Sequence, residues 1–210
     1  MGAKMNKEFD SIFLTSVATG GKDTLFNILK EILKDNIEPE RISFADNLKM
    51  AVNDFSRKMF DISAFTRNSK DKELIRPIFV ETGLIKRVQS RGTYWWGLIQ
   101  PIVQRCVDEG GLPIITDLRY AKYQEDEHYF AKNVFKGIII HITRYDSLGN
   151  KILAPNIHEI ENDPKLEAMA DYKLQWPTSD DKEVLRTLVE TQLKELIDLI
   201  CQKFPKKLQN

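Results

Sequence analysis

The sequence predicts an α/β fold, a parallel sheet flanked by helices in three layers, on the strength of three observations. Short apolar runs alternate along the chain with longer amphipathic ones, and nothing repeats at a fixed period. Residues 112–116 and 137–143 are continuous apolar runs, the pattern of parallel strands covered on both faces. Near the start, an apolar run, a glycine-containing turn and an amphipathic stretch follow one another directly.

In chain order, residues 11–15 read as the first buried strand, and residues 24–34 place Leu25, Ile28, Leu29 and Ile32 on one helical face. Residues 42–45 read as a short second strand, followed by a helix with Leu48, Val52 and Phe55 on one side. Residues 60–93 are charged and weakly periodic, with a helix within 74–86 that follows Pro77. Helical pattern returns over 94–108, interrupted at Pro101. Between the two clearest strands, residues 120–136 are charged enough for an exposed helix, so strand, helix and strand make a right-handed crossover. Residues 145–163 carry Gly, Asn and Pro without a period and read as a loop or lid. Residues 172–176 read as the last strand. Residues 182–204 form one closing amphipathic helix carrying Leu185, Leu188, Leu193, Leu196 and Ile200, with Pro205 as its stop.

The 210 residues fit one domain spanning 1–210, and a hydrophobic content of 42% is enough for a core without disulfides. Lys plus Arg and Asp plus Glu are both 31, so no global field draws the protein to nucleic acid or membrane, and no basic stripe with interleaved aromatics appears. Anionic ligands must be met by local cationic clusters. Cys106 and Cys201 lack metal-site spacing and read as buried thiols in a reducing compartment. No apolar run reaches the roughly 20 residues of a membrane-spanning helix, and residues 1–10 are polar, so the expected location is cytoplasmic.

The segment most informative about function is residues 16–24, Ser-Val-Ala-Thr-Gly-Gly-Lys-Asp-Thr, lying between a strand and a helix. That arrangement points successive backbone N–H groups, from Ser16 through Ala18, Thr19, Gly20 and Gly21, at one spot, where the helix dipole adds positive charge. Lys22 would reach the β- and γ-phosphates of a nucleotide, and Thr24 would offer a hydroxyl to phosphate or magnesium. Against the GxxxxGK[ST] pattern, Ser16 stands where a glycine is expected and Asp23 where Ser or Thr follows the lysine. An ordinary Gly-Gly turn with a surface lysine reads the same way.

Other candidates cluster at strand ends, where open α/β sheets place their sites. Asp117 and Arg119 follow the strand at 112–116. Asp117 there would hold a magnesium-bound water or orient an acceptor, and Arg119 would grip a phosphate; a helix N-cap with a solvated arginine is the alternative. Arg144 ends the strand at 137–143 and would neutralise a transferring phosphoryl group, or be a loop residue. Lys49, Arg76 and Arg87 lie in or beside helices, where a solvated face is the plain expectation. Tyr94, Trp95 and Trp96 offer a base-stacking surface or core packing. His158 and Glu161 have helical spacing without making a metal site.

Taken in order, these segments resemble the deoxynucleoside monophosphate kinases of tailed bacteriophages, members of the P-loop nucleoside monophosphate kinase superfamily. The family's GxxGSGKDT loop is similar to residues 16–24, with Lys22, Asp23 and Thr24 retained. Residues 44–49 are similar to its FAxPLK, with Asn47 in place of proline and Lys49 as its lysine. Arg76 and Gly83 match RxxLQxLG, Trp96 matches a later tryptophan, Asp117 and Arg119 match DxR, and residues 140–144 match IHVxR. His158 and Glu161 match an HxxE, and residues 170–172 the start of the last strand. Val80 replaces a family glutamine, Tyr123 a glutamate and Trp176 an asparagine.

The resemblance implies a three-layer P-loop NTPase fold, with an acceptor-binding helical region at about 46–108 and a lid-like insertion at about 145–163. It implies ATP and Mg2+ as cofactors and phosphoryl transfer to a deoxynucleoside monophosphate (dNMP). Lys49, Arg76, Gly83, Trp96, Asp117 and Arg119 would surround the acceptor, and Thr24 and Asp23 would organise the metal. It also implies a homodimer as the common assembly and, for a viral protein, the host cytoplasm. Two readings stand beside it. Animal-type phosphomevalonate kinases share a GKD loop and a DxR strand end, and a non-catalytic nucleotide-binding module would keep the same loop.

Overall fold

The computed structural model describes residues 8–206 and contains a five-stranded sheet in the order β2-β3-β1-β4-β5, every neighbouring pair parallel. Its strands are β1 (Ile12–Thr15), β2 (Glu40–Ile42), β3 (Pro113–Leu118), β4 (Ile138–Tyr145) and β5 (Tyr172–Pro177). β1 is central, pairing with β3 on one side and β4 on the other, so the loop that follows it opens at the middle of the sheet.

Side chains alternate across the sheet and feed two separate cores. Ile12 and Leu14 of β1 join Leu25 and Leu29 of α1 (Lys22–Leu33) and residues of the two C-terminal helices. Phe13 points the other way, to Ile99 and Val103 of α4 (Thr93–Asp108) and to Phe130. Helices therefore cover both faces, giving the expected three layers. Among the described residues, no helix is long and apolar enough to cross a membrane.

Several local expectations are corrected. The second strand ends at Ile42, and Phe44 and Ala45 instead begin α2 (Phe44–Phe60), because the Asp117 carboxylate accepts both of their N–H groups, at 2.9 and 2.8 Å. The weakly periodic middle is one long helix, α3 (Ser69–Ser90), started by the Asn68 side chain and continuous through Pro77. Pro101 likewise leaves α4 unbroken. Phe55 is exposed rather than core-facing. The strands at 112–116 and 137–143 run further than expected, so Asp117 and Arg144 lie within β3 and β4, not past them.

The exposed helix expected over 120–136 is absent. Only a short helical turn, α5 (Glu127–Tyr129), and a π-helical turn, Phe130–Val134, form there, and Phe130 and Ala131 are fully buried. Asp126 explains the irregular stretch before them: its carboxylate accepts the N–H groups of Lys122, Tyr123 and Glu127, replacing helical bonds. The lid-like segment is a turn followed by α6 (Ile157–Met169), which Asn156 caps. The closing helix is two, α7 (Lys182–Gln192) and α8 (Lys194–Lys203), meeting at the fully buried Leu193.

Arg87, near the end of α3, is expected on a solvated face and is instead 4% exposed. Its guanidinium pairs with both Asp126 and Glu127 and lies over the Tyr120 ring, 3.6 Å from the centroid. Glu127 uses its other oxygen to accept the N–H groups of Arg119 and Tyr120, at 2.8 and 3.1 Å. Complete burial drives the Glu127 carboxyl upward, and the Arg87 charge opposes that shift. This network fixes the chain just after β3, and so the position of Arg119. Removing one partner of a buried ion pair leaves uncompensated charge and costs about 3–5 kcal/mol. Arg87→Met should lower the unfolding free energy by about that amount in urea denaturation.

Candidate active site

Residues 16–21 turn sharply between β1 and α1. The loop needs left-handed backbone at Thr19 (φ 62°) and Gly21 (φ 98°), and Ser16 is not among the positive-φ residues. Serine is therefore acceptable where the standard pattern begins with glycine. Gly20 is required for a different reason, since a Cβ there would lie 2.1 Å from the Ser16 Oγ. A Cβ on Gly21 would lie 2.3 Å from the Trp176 ring.

Trp176, on β5, is 3% exposed and donates its indole N–H to the Gly20 carbonyl at 3.2 Å. Arg144 donates to the Thr19 carbonyl at 2.9 Å and to the Thr178 hydroxyl at 2.9 Å. Two successive loop carbonyls are thus held from β4 and β5, on the outer side of the loop. No side chain caps α1, so the N–H groups of its first turn stay available to an anion.

Lys22 is 8% exposed, with its ammonium folded back under the loop. It donates to the Ser16 carbonyl (3.0 Å), the Ser16 hydroxyl (3.2 Å) and the Val17 carbonyl (3.1 Å). Burial, aided by the Arg119 charge, brings its pKa down to about 8, against the pull of Asp117, Glu159 and Asp23.

Beside the loop lies a cavity of about 580 Å3 between the sheet's carboxyl edge and helices α2, α3 and α6. Cations outnumber acids along its wall: Lys22, Arg41, Lys49, Arg67, Lys72, Arg76, Arg87 and Arg119 against Asp23, Asp117, Glu127 and Glu159. Leu48, Phe65, Phe79, Val80 and Trp95 supply an apolar side. A phosphorylated molecule with an apolar or aromatic part fits that division.

Of the expected acceptor residues, Lys49, Arg76, Gly83, Asp117 and Arg119 line this cavity. Arg76 pairs with Glu73, and Lys49 with Asp46. Asp117 accepts from the Ser43 hydroxyl as well as from the two α2 N–H groups, which commits both its oxygens to holding α2 against β3. Trp96 is turned away, stacked on Phe130 at 5.2 Å and bonded to the Glu125 carbonyl. The neighbouring Trp95 faces the cavity instead, its indole donating to the Gly83 carbonyl at 3.1 Å. Arg144 stands on the loop's outer flank rather than in the cavity, because β4 adjoins β1 on the side opposite β3.

Magnesium takes hard oxygen ligands and keeps much of its water. Asp23, on the first turn of α1, fits that chemistry, since its side chain is 77% exposed at the cavity lip and held only by Arg41, at 3.2 Å. Thr24 is exposed on the same turn. Elsewhere among the described residues, His141, Asp163 and Glu167 come close enough to share an ion, but Lys151 lies 3.7 Å from Asp163 and 3.4 Å from Glu167 and already supplies the positive charge.

Sequence reasoning missed Arg41, Tyr120, Asn156 and Glu159, all cavity-lining. They come from segments read as loop, exposed helix or strand edge, and no local pattern marks them.

No protein-family model matches the chain, and no curated protein matches it. Among solved structures, dephospho-CoA kinase from Campylobacter jejuni is similar, with 14% identical residues and a TM-score of 0.48, over 90% of this chain and 98% of that one. The α/β architecture described above is read from this chain's own strands.

Lys22 binds an anion only when protonated, and a bound polyphosphate stabilises the proton. Affinity for a polyphosphate such as ATP should therefore be fully developed only about a pH unit below 8 and about half lost at pH 8. Above it, affinity should fall by about tenfold per pH unit as the free protein's lysine deprotonates. Arginine stays charged across this range, so titration of ATP binding from pH 7.5 to 9.5 should show that slope in the wild type and none in Lys22→Arg.

Proposed function

We propose that the protein is an ATP-dependent kinase that phosphorylates a nucleoside monophosphate, and specifically a dNMP. The observation that carries this reading is the buried Lys22 under a strand-to-helix loop that opens directly into a cation-lined cavity. The resemblance of residues 16–24, 44–49 and 117–119 to the phage dNMP kinases supplies the acceptor class.

In this reading the loop N–H groups from Ser16 to Gly21 cradle the donor phosphates, and Lys22 leaves the Ser16 and Val17 oxygens to bridge the β- and γ-phosphates. Arg119 and Arg76 hold the acceptor phosphate in line with the donor, with Lys49 and Arg67 adding positive charge around it. Trp95, rather than Trp96, lies along the acceptor base, and Gly83 holds the Trp95 indole. Asp117 serves as the positioning group that seats α2, and with it Lys49. Arg144 and Trp176 keep the loop in its binding shape. Asp23, with Thr24 beside it, would hold magnesium, which supplies charge neutralisation on the phosphates when bound. The start of α6, with Asn156 and Glu159 at the cavity edge, closes over the reactants and keeps water from accepting the phosphoryl group.

The cavity's mixture of cations and apolar side chains also suits other small phosphorylated acceptors, a phosphomevalonate-like one included, and the substrate panel separates these. A coupled ADP-release assay with ATP, magnesium and each dNMP and NMP should show turnover with at least one dNMP. Lys22→Met should fold normally and lose about a hundredfold to a thousandfold in kcat, the scale of one transition-state donor. Near-normal turnover in that variant contradicts the assignment, and tight ATP binding without transfer to any monophosphate favours a non-catalytic module.

A further inference from the structure

Glu159 lies on the first turn of α6, far from the phosphate loop in sequence, yet its Oε2 accepts the Ala18 N–H at 2.6 Å. Its Oε1 faces the Arg119 guanidinium at 3.5 Å and accepts from the Asn156 amide at 3.2 Å. The side chain is only 11% exposed. A backbone N–H in the middle of such a loop is a donor for a phosphate oxygen, and a carboxylate is the side chain that best imitates one. The same carboxylate also engages Arg119, which belongs to the opposite half of the site. One anionic side chain therefore joins a donor-side N–H to an acceptor-side cation.

We infer that Glu159 is a positioning residue that stands in for the donor phosphate in the free protein, and that an arriving polyphosphate displaces it from Ala18 and releases Arg119. Two bonds are exchanged in one movement. Ala18 passes from carboxylate to phosphate oxygen, and Arg119 loses its carboxylate partner and turns to the incoming anion. Asn156 moves with Glu159, because it both bonds the Glu159 side chain and caps the Glu159 N–H at 3.0 Å. Filling the loop thus shifts the start of α6, which forms one edge of the cavity. The order of events is donor first, then an Arg119 free for the acceptor.

The identity of the donor rests on the kinase reading, but the displacement depends only on an anion entering the loop, so the test uses inorganic tripolyphosphate as well as ATP. Equilibrium binding is measured on the full chain. Glu159→Gln, which keeps the shape and removes the charge, should bind tripolyphosphate about tenfold more tightly, the scale of one charge-assisted hydrogen bond no longer displaced. Glu159→Asp keeps the charge but shortens the reach to Ala18 and should also bind more tightly than wild type. Glu161→Gln removes the same charge two residues along α6 and should leave the wild-type constant unchanged. A merely structural role for Glu159 would weaken binding in both variants, and that result overturns the inference. So do wild-type constants in both, or equal tightening in Glu161→Gln. If tripolyphosphate binding tightens as expected while no monophosphate is phosphorylated, the displacement stands and the kinase reading falls.

Discussion

The site depends on keeping an ammonium group inside the protein with no carboxylate bonded to it. Lys22 is buried under the loop it belongs to, and three oxygens from Ser16 and Val17 hold it there. Burial makes the charge costly, and the loop carbonyls offset that cost only in part. A phosphate in the loop would complete the compensation. The surrounding structure serves this arrangement: β1 sits at the centre of the sheet, Trp176 and Arg144 hold the Gly20 and Thr19 carbonyls from outside, and α1 is left uncapped. Two departures from the resembled pattern, Ser16 in the loop and Trp176 in the last strand, become explicable together. Ser16 is tolerated because the left-handed positions fall at Thr19 and Gly21, and Trp176 fills the space that the missing Cβ of Gly21 leaves.

The cavity beside the loop follows a different logic. Its cations come from α2 (Lys49), α3 (Lys72, Arg76 and Arg87), the segment before α3 (Arg67), β2 (Arg41) and the chain after β3 (Arg119), so most of them depend on how α2 and α3 are docked. Three buried carboxylates do the docking. Asp117 pins the start of α2 to β3, and the Arg87 network with Asp126 and Glu127 pins the end of α3 to the segment carrying Arg119. Their oxygens are already engaged, by the Ser43 hydroxyl and the α2 N–H groups at Asp117 and by Arg87 and backbone N–H groups at Asp126 and Glu127. Glu159 differs, because it belongs to a separate element and joins the Ala18 N–H to the Arg119 guanidinium.

Much of the fold was legible because buried parallel strands leave a direct mark. The runs at 11–15, 112–116 and 137–143 are continuous apolar segments, and all are strands. The loop at 16–21 was legible from its position between a strand and a helix. Much of what was illegible comes from a carboxylate overriding the local pattern, whether from far along the chain or from the same segment. Asp117 turns residues 44–45 from strand into helix, and Asp126 keeps 122–126 from helical bonding. Arg87 has the sequence context of a surface residue, and only its two carboxylate partners account for its burial. Trp95 and Trp96 are adjacent on one helix and equal in the sequence. Which of them faces the cavity is decided by α4 rotating to bury Ile99 and Val103 against the sheet.

A bisubstrate analogue, adenosine joined through five phosphates to a deoxynucleoside, requires the loop and the cation-lined cavity to be occupied at once and in line. Binding of this molecule to the full chain, compared with ATP alone, tests the account most directly. The account predicts affinity at least about a hundredfold tighter than for ATP, as expected when two adjoining subsites are filled by one linked ligand. Affinity no greater than that of ATP would contradict it, because the cavity beside Lys22 would then not be the place where an acceptor phosphate sits.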